Sequence, residues 1–328
     1  MNRNNIHAGR NKSGGLEFHV LSDIDKERIH AATLEVLLKT GVYVEEESVL
    51  ERYAGAGCMV DPKTRMVRIP PHVVEDAIES APEIMLMAGR DPKDDILLEM
   101  NRVSFSCFGT AIKVTDPETG EIRDSTKADL ADCARVIDYL DHVETNRRSV
   151  SAYDVPQAVA AVHDAEALLN NTTKHILTTP YNGYMCRQII KMLVAIVGSE
   201  ENLRQRPLVT FNNCAVTPLK LPRECCEIIV EAAKAGLPVT VLSQALTGGS
   251  SPVTLAGTLV IHNSEVLAGL VLSQLVARGN PFFYCSSSCS LDLRYGTAAV
   301  GTPETALLNA AIAELSRYYR LPCRVAGG

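Results

Sequence analysis

Short apolar segments alternate with longer amphipathic segments from about residue 101 to the end of the chain. The apolar segments lack a polar alternation, which is typical of parallel strands buried on both faces. Their starts recur at roughly 30 to 45 residues, the length of one strand-loop-helix unit. They predict strands at 103–108, 143–150, 175–179, 208–212, 238–244, 281–285 and 322–326.

The intervening segments carry apolar residues at helical spacing and end at residues that commonly stop helices. Gly198, Gly236 and Gly279 follow three of them, and Pro303 opens another. The predicted helices are 126–140, 158–169, 186–197, 223–235, 255–277 and 303–319. Such alternation fits a doubly wound open sheet or a (β/α)8 TIM barrel. We favour the barrel because the units are regular and no G-x-G-x-x-G motif opens a helix.

The first hundred residues have a different pattern and predict an N-terminal arm followed by a small mixed α/β appendage. Ser22 is a good N-cap with Asp25 three positions later, and the amphipathic run after it ends near Gly41. A hairpin fits 58–69, and Pro71 opens a short helix to residue 80. The predicted domains are therefore 1–100 and 101–328.

The last residues predict a buried strand that runs into a glycine-rich turn, Gly327-Gly328. Counting gives six complete strand-helix units plus this strand, so we expect a barrel that is incomplete at its C-terminus. Such a sheet would expose unpaired strand edges, and we expect a chain of this extent to be unstable or oligomeric.

Composition and charge exclude several classes of protein. A net charge of −7 argues against nucleic-acid binding, which usually needs a basic surface. The ten cysteines are scattered, which favours free thiols in the cytoplasm. The polar N-terminus is no signal peptide, and His262-Asn263-Ser264-Glu265 interrupts the most apolar stretch, so we expect no membrane span.

Candidate chemistry lies at the C-terminal ends of the predicted strands, where TIM-barrel enzymes place their active sites. This face offers amides, hydroxyls and aromatic rings, with a single carboxylate and neither His nor Lys. Acid-base pairs, Schiff-base lysines and nucleophile-histidine pairs therefore lack candidates. We predict a small neutral or cationic ligand, bound by Phe108, Tyr153, Asp154, Tyr181, Asn212, Gln244, Tyr284 and Ser286.

The four aromatic residues of this set could hold an ammonium group by cation–π attraction, worth about 0.5–2 kcal/mol each. The alternative is that they pack in the core or at the rim. Asn212 and Gln244 could bind the ligand or tie loops together, because a buried amide needs partners in either case. A zinc site built from distant Cys and His residues is a further alternative.

Three segments resemble the trimethylamine methyltransferase family: 119–126 (TGEIRDST), 248–260 (GGSSPVTLAGTLV) and 317–322 (RYYRLP). The similarity extends from about residue 20 to Gly328. The resemblance implies a (β/α)8 barrel and methyl transfer from trimethylamine to the Co(I) corrinoid of a separate partner protein, in methylamine-dependent methanogenesis.

The resemblance also implies pyrrolysine directly after Gly-Gly in the enzymes that use trimethylamine, encoded by an amber codon. The catalytic residue is then expected immediately after Gly328. We therefore expect the 328-residue chain to be an amber-truncated, inactive form. We expect no tightly bound cofactor, no metal, and a homo-oligomer when full length.

Three alternatives remain open from the sequence. The substrate could be another quaternary amine such as glycine betaine, as in relatives with an ordinary residue in place of pyrrolysine. The chain could be a zinc-dependent corrinoid methyltransferase that uses some of its cysteines. It could also be a non-catalytic fragment that keeps only the surface for the corrinoid protein.

Overall fold

The computed structural model describes residues 18–99 and 103–326. The α-helices are α1 (Asp23–Glu35), α2 (Leu50–Gly55), α3 (Pro71–Ser80), α4 (Lys127–Tyr139), α5 (Ala160–Asn171), α6 (Gly183–Val197), α7 (Glu200–Gln205), α8 (Arg223–Lys234), α9 (Leu255–Val276) and α10 (Pro303–Tyr318). The strands are β1 (Val42–Val44), β2 (Met59–Asp61), β3 (Met66–Arg68), β4 (Met85–Met87), β5 (Ile96–Leu98), β6 (Lys113–Thr115), β7 (Ile122–Asp124), β8 (Asn146–Arg147), β9 (Ile176–Thr178), β10 (Val209–Cys214), β11 (Lys220–Leu221), β12 (Val239–Ser243), β13 (Leu246–Thr247), β14 (Phe282–Ser286), β15 (Cys289–Asp292), β16 (Thr297–Ala299) and β17 (Cys323–Arg324).

The contacts divide the chain into two compact units. The described part of the first unit comprises residues 84–99 and 103–212, and that of the second comprises 18–83 and 213–326. The N-terminal helices thus belong with the C-terminal part of the chain, and the boundaries differ from the predicted division at residue 100. Sequence separation is a poor guide here, since α1, α2 and α3 all pack on α9.

The first unit is built around the parallel strands β8, β9 and β10. Ile176 of β9 lies opposite Asn146 of β8 and Val209 of β10. Helix α4 precedes β8, α5 lies between β8 and β9, and α6 and α7 lie between β9 and β10; α4 packs on α5. A capping box at Thr126 and Asp129 begins α4, and β6 and β7 before it form an antiparallel hairpin.

The second unit contains the parallel strands β12, β14 and β17. Tyr284 of β14 lies opposite Val241 of β12 and Cys323 of β17. A separate sheet has the order β11-β1-β3-β2, and β13, β15 and β16 form a third. Ser22 and Asp25 form the predicted capping box at the start of α1, and Pro303 occupies the first turn of α10.

Helix α9 is the core helix of the second unit. It packs on α1, α2, α3, α8 and α10 and on β12 and β14. It is also the one helix among the described residues that is long and apolar enough to cross a membrane, with 72% of its most apolar window buried. Burial on every side explains its composition, because a helix without a solvent-facing stripe can be apolar all round.

Most predicted elements are present with small shifts at their ends, as is usual for boundaries read from sequence. The prediction of a regular strand at 103–108 is wrong: Ser106 and Ala111 make only isolated parallel bridges, to Thr145 and Val150. The predicted strand at 322–326 is confirmed as β17, whereas its Gly-Gly turn lies outside the described residues. All ten cysteines are free thiols, as predicted.

Candidate functional site

Arg148 lies one residue after β8, at the C-terminal end of that strand, and only 10% of its side chain is exposed. Its Nη1 donates to Asp164 Oδ2 at 3.1 Å and to Tyr181 Oη at 3.2 Å, and its Nε donates to Thr110 Oγ1 at 3.3 Å. The guanidinium carbon also lies 5.4 Å from the centroid of the Tyr181 ring. One side chain therefore contacts two strand-end loops and a helix.

Asp164 on α5 is fully buried and completes this cluster. Its second carboxylate oxygen, Oδ1, accepts from the Ala152 amide at 2.9 Å. Burial raises the pKa of Asp164 above its ordinary value, while the Ala152 amide and the Arg148 guanidinium act in the opposite direction. The ion pair leaves the cluster with no net charge when both groups are ionised.

The predicted site residues of the first unit lie on loops or, in the case of Asn212, in β10, and they differ in exposure. Phe108 and Tyr153 are 66% and 44% exposed, and Tyr181 is 37% exposed. Asp154 is exposed, and its Oδ1 accepts from the Lys127 amide at 2.8 Å, so it caps the first turn of α4. Asn212 is buried, and its Nδ2 donates to Thr179 Oγ1 at 3.2 Å.

The predicted site residues of the second unit are divided between surface and core. Gln244 is exposed directly after β12. Ser286 is buried at the end of β14, where its Oγ accepts from the Ser288 amide at 3.0 Å. Tyr284 is fully buried, and its hydroxyl donates to Asn263 Oδ1 at 2.7 Å. The Tyr284 ring is therefore a core ring, which is one of the two interpretations that its sequence allowed.

The polar stretch in the middle of α9 bonds β14 and two other segments of the second unit. Asn263 donates through Nδ2 to Thr33 Oγ1 at 3.0 Å and to Tyr319 Oη at 2.7 Å, in addition to accepting from Tyr284. Tyr319 lies 3.0 Å from His30 Nδ1, which extends the buried network to α1. A fully bonded polar network inside an apolar core specifies one arrangement of the surrounding elements.

Glu265 of α9 is fully buried and binds the end of β12. Its carboxylate accepts from Ser243 Oγ at 2.6 Å, from Thr217 Oγ1 at 2.9 Å and from the Leu219 amide at 2.9 Å. Burial raises the pKa of Glu265, and the three hydrogen bonds oppose that effect. The carboxylate thereby fixes the loop after β10 and the end of β12 to the same helix.

His262 of α9 is also fully buried, and burial lowers its pKa to about 3, so the imidazole is neutral near pH 7. Its Nδ1 lies 3.3 Å from Ser288 Oγ, which accepts from the Ala245 amide at 3.1 Å. His262 thus holds the loops that follow β12 and β14. Across residues 18–99 and 103–326, no group of three or more His, Cys, Asp or Glu side chains is arranged to hold a metal ion.

Sequence reasoning missed Arg148, Asp164 and Glu265. Arg148 fell inside a predicted strand, and the two carboxylates fell inside predicted helices, so none was counted among the strand-end residues. The available signal was the charge itself, because a carboxylate in an otherwise apolar helical face is rarely buried without a partner.

The family model of trimethylamine methyltransferase (MTTB) matches residues 5–328. The chain belongs to this family. Relatives of this chain include the trimethylamine methyltransferase MttB of Desulfitobacterium hafniense, 43% identical over 99% of this chain and 66% of its own length. MttB of Methanosarcina barkeri is 39% identical over 100% of this chain and 67% of its own length. The chain thus spans about two thirds of the length of these relatives.

A more distant relative and a solved structure complete the comparison. The glycine betaine methyltransferase of Desulfitobacterium hafniense is 26% identical over 95% of this chain and 65% of its own length. The crystal structure of the Methanosarcina barkeri monomethylamine methyltransferase (MtmB) superposes with a TM-score of 0.52 at 11% identity, over 92% of this chain and 67% of that one. This likeness confirms the predicted TIM-barrel fold of the chain.

Proposed function

We propose that this protein transfers a methyl group from trimethylamine to the Co(I) corrinoid of a separate partner protein. The proposal rests on family membership and on the higher identity to trimethylamine methyltransferases, 38% to 43%, than to a glycine betaine methyltransferase, 26%. The corrinoid would supply the cobalt nucleophile. The residues of this chain would bind the amine and orient one methyl group toward it.

Physical features of the first unit support an amine ligand. Phe108, Tyr153 and Tyr181 are partly exposed rings on loops, and ring faces attract methylated ammonium groups. The one buried cation in that cluster, Arg148, is paired with Asp164, so it presents little net positive charge to a cationic ligand. The three rings stay predicted contacts of the ligand, as do Asp154, Asn212, Gln244 and Ser286, whereas Tyr284 packs in the core.

An assay of substrate choice tests the proposal. The protein is produced from its complete gene in its native host and mixed with the reduced corrinoid partner, and dimethylamine release and cobalt methylation are followed. Dimethylamine formation from trimethylamine supports the proposal. Methyl transfer from glycine betaine alone, or from neither compound, overturns it.

Four accompanying predictions have their own tests. Mass spectrometry of the protein from the native host tests whether pyrrolysine follows Gly328. Analytical ultracentrifugation tests for a homo-oligomer, and cell fractionation tests the cytoplasmic location. A role in methylamine-dependent methanogenesis would require that the organism makes methane from trimethylamine.

A further inference from the structure

The Arg148–Asp164 ion pair joins three loops of the first unit. Thr110 lies on the first loop, Ala152 on the loop after β8, and Tyr181 on the loop after β9. Each loop also carries at least one residue of the predicted substrate site: Phe108, then Tyr153 and Asp154, then Tyr181 itself. All of these residues belong to the first unit.

The ion pair is an inefficient way to stabilise the fold, because burying two charges costs desolvation free energy. Two charges with 10% and 0% exposed side chains lose most of their hydration, and well-packed apolar residues of similar volume are often at least as stable. The geometry is also specific. The planar guanidinium donates to Asp164, Tyr181 and Thr110 from fixed directions, which a flexible ammonium group could not reproduce.

We propose that Arg148 and Asp164 are positioning residues. They hold the three loops that carry Phe108, Tyr153 and Tyr181 in the relative positions that bind the methylated amine, and Asp164 neutralises the charge of Arg148 beside that site. The amine part of this inference rests on the proposed function. The loop part rests on the contacts alone and can be tested separately.

Backbone amides in the loops provide the first readout. The Ala152 amide donates to Asp164 Oδ1 at 2.9 Å, and the Ala111 amide donates to Ser149 O at 2.8 Å beside Thr110. In Asp164→Asn, we expect hydrogen exchange to accelerate about tenfold or more in peptides covering 108–111, 151–155 and 179–182. Peptides from β9 and β10 should exchange as in the wild type. Asp132→Asn, which alters an exposed ion pair on α4, is the matched control and should change none of them.

Kinetics of the complete protein with its corrinoid partner provide the second readout. We expect Asp164→Asn to raise KM for trimethylamine about tenfold, with kcat within about threefold of wild type, because substrate placement is impaired and Arg148 becomes an unbalanced cation. Arg148→Lys keeps the charge but loses the planar fork. It should accelerate exchange in all three loops with a smaller rise in KM.

Two gentler variants keep the proposal testable if Asp164→Asn does not fold. Thr110→Val removes a hydroxyl that accepts from Arg148 Nε and donates to Arg148 O, and it should accelerate exchange only at 108–111. Tyr181→Phe removes one hydroxyl and should accelerate it only at 179–182. Unchanged exchange in these loops, or an equal increase throughout β9 and β10, overturns the positioning role. If the loops respond as expected while wild-type protein does not demethylate trimethylamine, the positioning role stands and the proposed function falls.

Discussion

Replacing Asn263 by Ala is the sharpest test of the buried network on α9. Asn263 is fully buried and makes three side-chain hydrogen bonds, to Thr33, Tyr319 and Tyr284. Thr33 and Tyr319 keep other partners in the variant, Ile29 O at 2.8 Å and His30 Nδ1 at 3.0 Å. The Tyr284 hydroxyl loses Asn263, the partner to which it donates in the described structure.

The magnitude follows from these contacts. A lost hydrogen bond costs about 1 kcal/mol net, and a stranded buried hydroxyl costs about 1–3 kcal/mol. We therefore expect Asn263→Ala to lower the free energy of unfolding by about 3–5 kcal/mol. Tyr284→Phe should cost less, about 1–3 kcal/mol, because it leaves only the Asn263 oxygen without a donor. The double variant should cost about 1–2 kcal/mol less than the sum, since no hydroxyl is then stranded.

Urea unfolding followed by far-UV circular dichroism measures these values. The chain has no Trp, so tyrosine fluorescence serves as the second probe, and coincident curves establish a single transition. Asn170→Ala is the matched control, because Asn170 is exposed on α5 and bonds only Glu166 among its described contacts; it should change stability by less than about 0.5 kcal/mol. A loss below about 1 kcal/mol in Asn263→Ala, or strict additivity in the cycle, would refute the reasoning.

Three further predictions concern single buried groups. Burial raises the pKa of Glu265 in the folded state, so the stability that this group contributes is fully present below its ordinary pKa of 4.5 and is lost as the pH rises through the higher folded value. The urea midpoint of Glu265→Gln should therefore fall less steeply with pH than that of the wild type. Parallel curves for the two proteins would contradict this prediction. Lys174 is buried, and its Nζ donates to three backbone carbonyls at 2.6–2.7 Å. Lys174→Met should therefore lower the free energy of unfolding in urea by about 2–4 kcal/mol. A decrease below about 1 kcal/mol would contradict a stabilising role for these hydrogen bonds. A Cβ on Gly269 would lie 2.4 Å from a Val241 methyl, so Gly269→Ala should destabilise the protein by about 1–3 kcal/mol although Ala has the better helix propensity. Gly55 in α2 has open space around it, so Gly55→Ala should stabilise the protein by about 0.5–1 kcal/mol. Stability changes of the same sign in both variants would refute the packing argument.

The sequence alone determined the features that depend on neighbouring residues. Ser22 with Asp25 at α1 and Pro303 at α10 act within a single helical turn, so the starts of these helices were readable from the chain. The apolar spacing of buried parallel strands was equally local. Together with three short segments, these features indicated the barrel and the family, both of which the comparisons confirm.

Only the tertiary structure decided which polar side chains meet. Arg148 and Asp164 are 16 residues apart, Glu265 and Leu219 are 46 apart, and Asn263 and Thr33 are 230 apart. No periodicity in the chain specifies such pairs, because they depend on which faces of separate elements come together. The same reason explains why Tyr284 and Phe108 differ in exposure. Both lie at predicted strand ends, yet Tyr284 is 0% exposed and Phe108 is 66% exposed.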